Sequence, residues 1–137
     1  MSYVLSGALQ TAVYTALSED TVLEAMVNGA IYDALPAGQV DQLYVTLGPE
    51  RVRDRSDSTA RSALHEFAIT VVSDEAGFLS AKEVAKRISE LLVGADLSLS
   101  RGRLVRLDFY KAHARKRANK REVETWFRAF VEDEATA

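Results

Sequence analysis

Strict alternation of side-chain type over Leu64 to Val72 limits the fold more than any other feature of this sequence. Phe67, Ile69 and Val71 fall on one side of an extended chain, and Glu66, Ala68 and Thr70 on the other. A period of two predicts a half-buried strand. Strands of a parallel sheet covered on both faces read as continuous apolar runs instead, so the alternation points to an antiparallel sheet. Val123, Thr125, Phe127, Ala129 and Val131 repeat the pattern near the C-terminus, and Leu104 to Ala112 reads as a further strand. Leu43 to Leu47 is a strand by composition, with Gly48-Pro49 as the breaker behind it, and Ile31-Tyr32 is a short extended piece closed by Pro36-Ala37-Gly38.

The helices carry a different period. Val4, Leu5, Ala8, Leu9, Ala12, Val13, Ala16 and Leu17 recur at three- and four-residue intervals and predict a helix ending near Ser18. Asp20 is placed to cap a shorter helix bearing Val22, Leu23, Met26 and Val27, which Asn28-Gly29 should stop. A third stripe, Ala81, Val84, Ala85, Ile88, Leu91 and Leu92, predicts a helix over about Ser80 to Val93, opened by a capping box at Ser80-Ala81-Lys82-Glu83 and ended by Gly94. Two segments read as loops: Glu50 to Ser62, charged and polar throughout, and Ala114 to Arg121, with no apolar side chain larger than alanine. The expected class is α+β, an antiparallel sheet of four to five strands covered by two main amphipathic helices with long loops. One domain over residues 1–137 suits this length, with 114–121 a mobile basic loop and 133–137 a frayed tail.

Several function classes drop out. The absence of cysteine removes disulfides, thiol catalysis and thiolate metal sites. No apolar run is long enough to span a bilayer, and the start Met1-Ser2-Tyr3-Val4-Leu5 lacks the basic and apolar regions of a signal peptide, so no membrane partner is expected. The seven glycines never cluster into a phosphate-binding loop, no serine sits in a Gly-x-Ser-x-Gly elbow, and His65 and His113 lack metal-binding spacing. His65 reads as a satisfied structural histidine or a surface residue, and His113 as one more polar contact in a basic cluster. The adjacent acids Glu19-Asp20 and Asp74-Glu75 lie near helix starts, where carboxylates complement the helix dipole. No catalytic residue, cofactor or metal is expected.

Charge is the remaining signal. Arg101 to Arg121 holds nine basic residues and one acid, Asp108, for a net +8, whereas the rest of the chain has eight basic and nineteen acidic residues, and residues 1–50 have no Lys or Arg. Segregation on this scale concerns partners rather than fold. Arg115, Lys116, Arg117, Lys120 and Arg121 lie within seven positions free of acids, and Arg51, Arg53, Arg55 and Arg61 mark the other polar segment. The plain reading of such a run is a soluble hairpin tip. Phe109, Tyr110 and Trp126 flank the tip but do not interleave it, so sequence-specific base reading is not expected. Phosphate-backbone contact or docking on an acidic protein surface remain.

The order of elements also resembles a known family. The segments that carry the likeness are Ala16-Leu17 closing the first helix, Val27-Asn28-Gly29-Ala30-Ile31-Tyr32-Asp33-Ala34-Leu35-Pro36, Leu43-Tyr44-Val45-Thr46-Leu47-Gly48, and the closing Phe127-Arg128-Ala129-Phe130-Val131-Glu132. Over roughly residues 5 to 132 the chain resembles the small tail-completion, or tail-terminator, proteins of long-tailed bacteriophages and phage-derived gene transfer particles. The resemblance implies a structural virion protein with no enzymatic activity. It implies a ring, typically hexameric, that caps the tail tube, meets the head connector or stopper and lets DNA pass through its lumen with transient, non-specific contact. It carries over no catalytic position. The expected partners are thus further copies of the chain, a tail-tube protein and a head-connector protein, with Arg51, Arg53, Arg55, Arg61, Arg115, Lys116, Arg117, Lys120 and Arg121 facing a neighbour or the lumen. A neck or head-completion adaptor of the same particle, and a small non-sequence-specific DNA-binding protein, are the alternatives.

Overall fold

A computed structural model of the chain describes residues 3–38 and 40–133. The elements run α1 (Ser6–Ser18), α2 (Thr21–Val27), β1 (Ile31–Tyr32), β2 (Leu43–Asp54), β3 (Ser62–Ser73), α3 (Leu79–Leu92), β4 (Arg103–Arg117) and β5 (Lys120–Glu132). The class is α+β. The five strands form one sheet in the order β1-β2-β3-β5-β4. Every neighbouring pair is antiparallel except β1 with β2, where Ile31 faces Val45 in parallel register, so the sheet is mixed rather than purely antiparallel.

Sequence signals explain the helix ends well. Asp20 accepts a hydrogen bond from the Leu23 N–H at 2.8 Å and caps α2, and Asn28 in the left-handed region (φ 53°) ends it. The capping box expected at Ser80 is not formed. α3 begins one residue earlier, with Phe78 in the cap position, and the Ser80 hydroxyl donates instead to Glu75, before the helix. In α1 the buried stripe is Leu9, Val13 and Leu17 with Leu5 just ahead of it, while Ala8, Ala12 and Ala16 lie at its margin and Val4 is exposed.

Two expected loops are strands. β2 continues past Gly48-Pro49 to Asp54, because those two residues form a bulge opposite Ala68 rather than a break. A Cβ on Gly48 would lie 3.2 Å from the Ala68 carbonyl oxygen, so the close approach of the strands favours glycine there. The residues of 50–62 left over form only the short connection around Asp57, whose carboxylate accepts from the Thr59 and Ala60 N–H groups. Likewise 114–121 is the end of a paired ladder, not a loop: Ala114 faces Val123, Lys116 faces Arg121, and Ala118-Asn119 alone turn the chain. The frayed tail expected over 133–137 lies outside the described residues except for Asp133, whose N–H bonds to the Arg61 carbonyl.

The three helices gather on one side of the sheet, with α3 against β3 and β5 and α1 packed on α2 and α3. Phe127, Ile69, Val71, Val45, Ile88 and Leu17 are at the centre of the core beneath them. β3 is buried along its whole length rather than on one face. It is the middle strand, and long side chains from its neighbours cover its second face; Arg128 of β5, for example, reaches across to Glu66.

Candidate functional site

The register divides the basic residues between the two ends of the sheet. Arg51 faces Glu66 and Arg53 faces Leu64 near one end of β3, with Arg55 and Arg61 in the adjoining turn. Arg115, Lys116, Arg117, Lys120 and Arg121 cluster at the other end, where Arg121 faces Ser73. Seven positions along β3 separate the level of Arg51, at Glu66, from that of Arg121, at Ser73, a separation of roughly 23 Å at about 3.3 Å per residue. Arg101 and Arg103 belong to the first end, where they pair with Asp133 at 2.9 Å and Glu132 at 2.7 Å. The sequence run from 101 to 121 is therefore two sites.

The tip itself is partly neutralised, which its sequence does not show. Glu122 and Glu124, adjacent to the run in sequence, lie across the ladder from it. Arg115 Nε donates to Glu122 at 3.1 Å, Arg117 stands 3.9 Å from the same carboxylate, and His113 Nε2 meets Glu124 at 2.8 Å. Burial opposes ionisation of Glu124, but hydrogen bonds from Trp126 Nε1 and His113 outweigh it and hold this carboxyl below its usual range. Other cations rest on aromatic faces: Lys111 over Tyr110 and Trp126, Lys120 over Tyr44, Arg121 over Phe78. Lys116 has no ion pair among the described residues and is fully on the surface.

The sheet face turned away from the helices carries most of this charge. By register it presents Arg51 and Arg53 from β2, Arg103, Arg106, Lys111, Arg115 and Arg117 from β4, and Lys120 and Arg128 from β5. Against these stand Glu66, Asp108, Glu122, Glu124 and Glu132. A protein of net charge −3 thus has one net positive face. The best-held pair there is Arg128 Nε to Glu66 Oε2 at 2.7 Å, with the guanidinium stacked 3.6 Å from the Tyr110 ring. The Arg128 bond keeps the Glu66 carboxyl below its ordinary value despite burial.

Sequence reasoning missed a second polar group, beneath α1. Glu50 stands at the bulge exit and accepts from the Ser6 hydroxyl at 2.8 Å, from Tyr3 and from His65 Nδ1 at 3.2 Å. His65 is fully buried, and its Nε2 has no hydrogen-bond partner. It is thus neither a surface residue nor fully satisfied. The signal that could have found this group was the alternation itself, which places His65 on the same face as Phe67. The arrangement ties α1 to the sheet, and the cavity beside it, lined by Leu9, Val13, Gly48, Glu50 and Phe67, holds only about 30 Å³. Among the described residues no three His, Asp or Glu side chains gather to hold a metal, and no helix is long and apolar enough to cross a membrane.

The site is thus a charged sheet face on a small α+β scaffold. The family model described as Tail completion protein gp17 matches residues 11–132. The chain belongs to this family. It is a tail completion protein, and its place is the tail of a phage or phage-like particle. A solved chain from a structure titled "Virion of native gene transfer agent (GTA) particle" superposes with a TM-score of 0.90 at 53% identity, covering 96% of this chain and 99% of that one. Among curated proteins nothing matches.

Proposed function

We propose that this tail completion protein is a non-enzymatic ring component that terminates the tail tube and joins it to the head connector, with DNA passing through the ring. The carrying observation is the 53% identity, over nearly the whole of both chains, to a component of a gene transfer agent virion. A head-to-tail contact that closes on itself gives rings of six or another fixed number, and six copies of a weak contact act together. Basic residues at both ends of the sheet suit a subunit that meets neighbours on two sides, and the net positive sheet face suits polyanions in passing.

The test is direct imaging. Negative-stain microscopy and mass measurement of the purified protein in low salt, alone and with its tail-tube partner, should show rings. A strict monomer under both conditions refutes the reading. Neutralising Arg115, Lys116, Arg117, Lys120 and Arg121 together should leave the fold intact and impair head–tail joining or DNA delivery. Particles that assemble and deliver normally with that change would reduce the tip to a solubility device.

A further inference from the structure

The helix layer covers β4 only as far as Leu107, which is buried with Leu104, and leaves the rest of the strand uncovered. By register Phe109, Ala112, Ala114 and Lys116 point to the helix side of the sheet, alongside Phe127, Thr125 and Val123 of β5. The β5 residues are buried, whereas all four on β4 are exposed, and Phe109 keeps 49% of its surface in water although its ring meets Phe127 edge-on. The result is a flat strip of one aromatic and two alanines, ending in a lysine without an ion pair among the described residues. An uncovered apolar strip in a layer that is otherwise roofed marks an interaction surface.

The same chain carries a matching surface. The outer face of α1 and the segment 96–100 enclose a groove of about 360 Å³ whose lining includes Ala8, Ala12, Ala16, Glu19, Asp96 and Ser98. Its small side chains allow close approach. Its carboxylates and hydroxyls accept hydrogen bonds, and no basic residue lines it. Glu19 and Asp96 are exposed and form no ion pair among the described residues. A lysine or guanidinium group, which only donates, fits such a lining.

We infer that the uncovered β4 strip of one subunit docks on the α1 groove of a second copy, Phe109, Ala112 and Ala114 against the alanine face and Lys116 toward Glu19 and Asp96. Charge selects this occupant. β4 against a second β4 would bring two cationic edges together, and the exposed part of β2 beyond β1 carries Arg51 and Arg53, whereas residues 1–50 contain no cation. Groove and strip are different surfaces, so the contact is head-to-tail and propagates to the next copy. This interface rests on the ring reading and supplies its contact.

Reciprocal charge reversal tests it. K116E sets an acid on the strip against the acidic groove, and E19K/D96K sets bases in the groove against the basic strip; all three positions are exposed, and circular dichroism checks each fold. In low salt the wild type should sediment as an oligomer that dissociates as salt rises. Each variant alone should remain monomeric, and an equal mixture should reassemble, because each then meets an opposite surface. Assembly of either variant alone like the wild type overturns the interface and leaves the ring standing, as does a mixture that fails to reassemble while the wild type does. A wild type that is monomeric even beside the tube protein overturns both.

Discussion

Replacing Glu50 by alanine removes the one acceptor shared by Tyr3, Ser6 and His65. Tyr3 is exposed and rebonds to water, but Ser6 is buried and His65 is fully so. The histidine would then hold two ring nitrogens without partners, since Nε2 already has none. A buried donor without an acceptor costs about 1–3 kcal/mol, and the Ser6 hydroxyl adds about 1 kcal/mol. Relief of Glu50's own partial burial offsets some of this, leaving about 2–3 kcal/mol, or a fall in Tm of roughly 6–10 °C for a domain of this size. Urea unfolding followed by Trp126 fluorescence measures it, with an unchanged m value as the control. In a His65→Leu background the donor is gone, so Glu50→Ala should cost only about 1 kcal/mol there, a coupling of about 1–2 kcal/mol. Burial works against ionisation of Glu50, but the hydrogen bonds from His65, Tyr3 and Ser6 overcome it and hold this carboxyl below its ordinary range. A depressed carboxylate contributes stability that is fully present above its unfolded-state pKa and is lost as pH falls through the folded one. Wild-type stability should therefore drop below about pH 4.5 more steeply than that of Glu50→Ala. Equal costs in the two backgrounds, or a cost under about 0.5 kcal/mol, would refute the network as described.

Three other substitutions probe separate parts of the fold. Gly102→Ala should destabilise by at least about 2 kcal/mol in thermal melts, because its φ is +72° and the new Cβ would lie 2.6 Å from the Glu132 carbonyl oxygen and 2.8 Å from Leu5 Cδ1. Ala118→Gly should do the opposite and raise stability by about 0.5–1 kcal/mol, since Ala118 holds φ 54° in the tip turn with no glycine to ease it. Arg128→Met should lower the melting temperature, because it strands the buried Glu66 carboxylate, and Glu66→Gln in the same chain should recover part of the loss.

How far the sequence could be read depended on whether a signal was local. The Asp20 cap and the Asn28 stop involve partners within a few residues, and the structure reproduces them, while the helix stripes hold except at Val4 and Val22, which are exposed. Gly48-Pro49 has the composition of a breaker, yet it works as a bulge because Ala68, twenty residues on, lets the strand pass close by. Ala118-Asn119 lacks the Asn-Gly pattern that announces a two-residue hairpin, so a paired ladder looked like a loop. Ser80 has a capping residue's spacing but found Glu75 instead.

The charged segments show the same division between composition and pairing. Counting residues correctly located the positive charge on Arg101 to Arg121, but strand pairing decided what was left of it: Glu132 and Asp133 take Arg103 and Arg101, Glu122 takes Arg115, and Lys116 stays unpaired among the described residues. A stretch kept basic only for solubility would not need partners folded against it, since lysines alone protect a sheet edge. Here the edge strand has two bulges, at Val105 and Tyr110, that already disrupt further ladder formation. With edge pairing discouraged by geometry, the remaining cations and the uncovered Phe109 strip are free for a side-chain contact with an acidic surface. In the proposed contact, that surface is the α1 groove, whose helix lies within the first fifty residues, a segment without lysine or arginine.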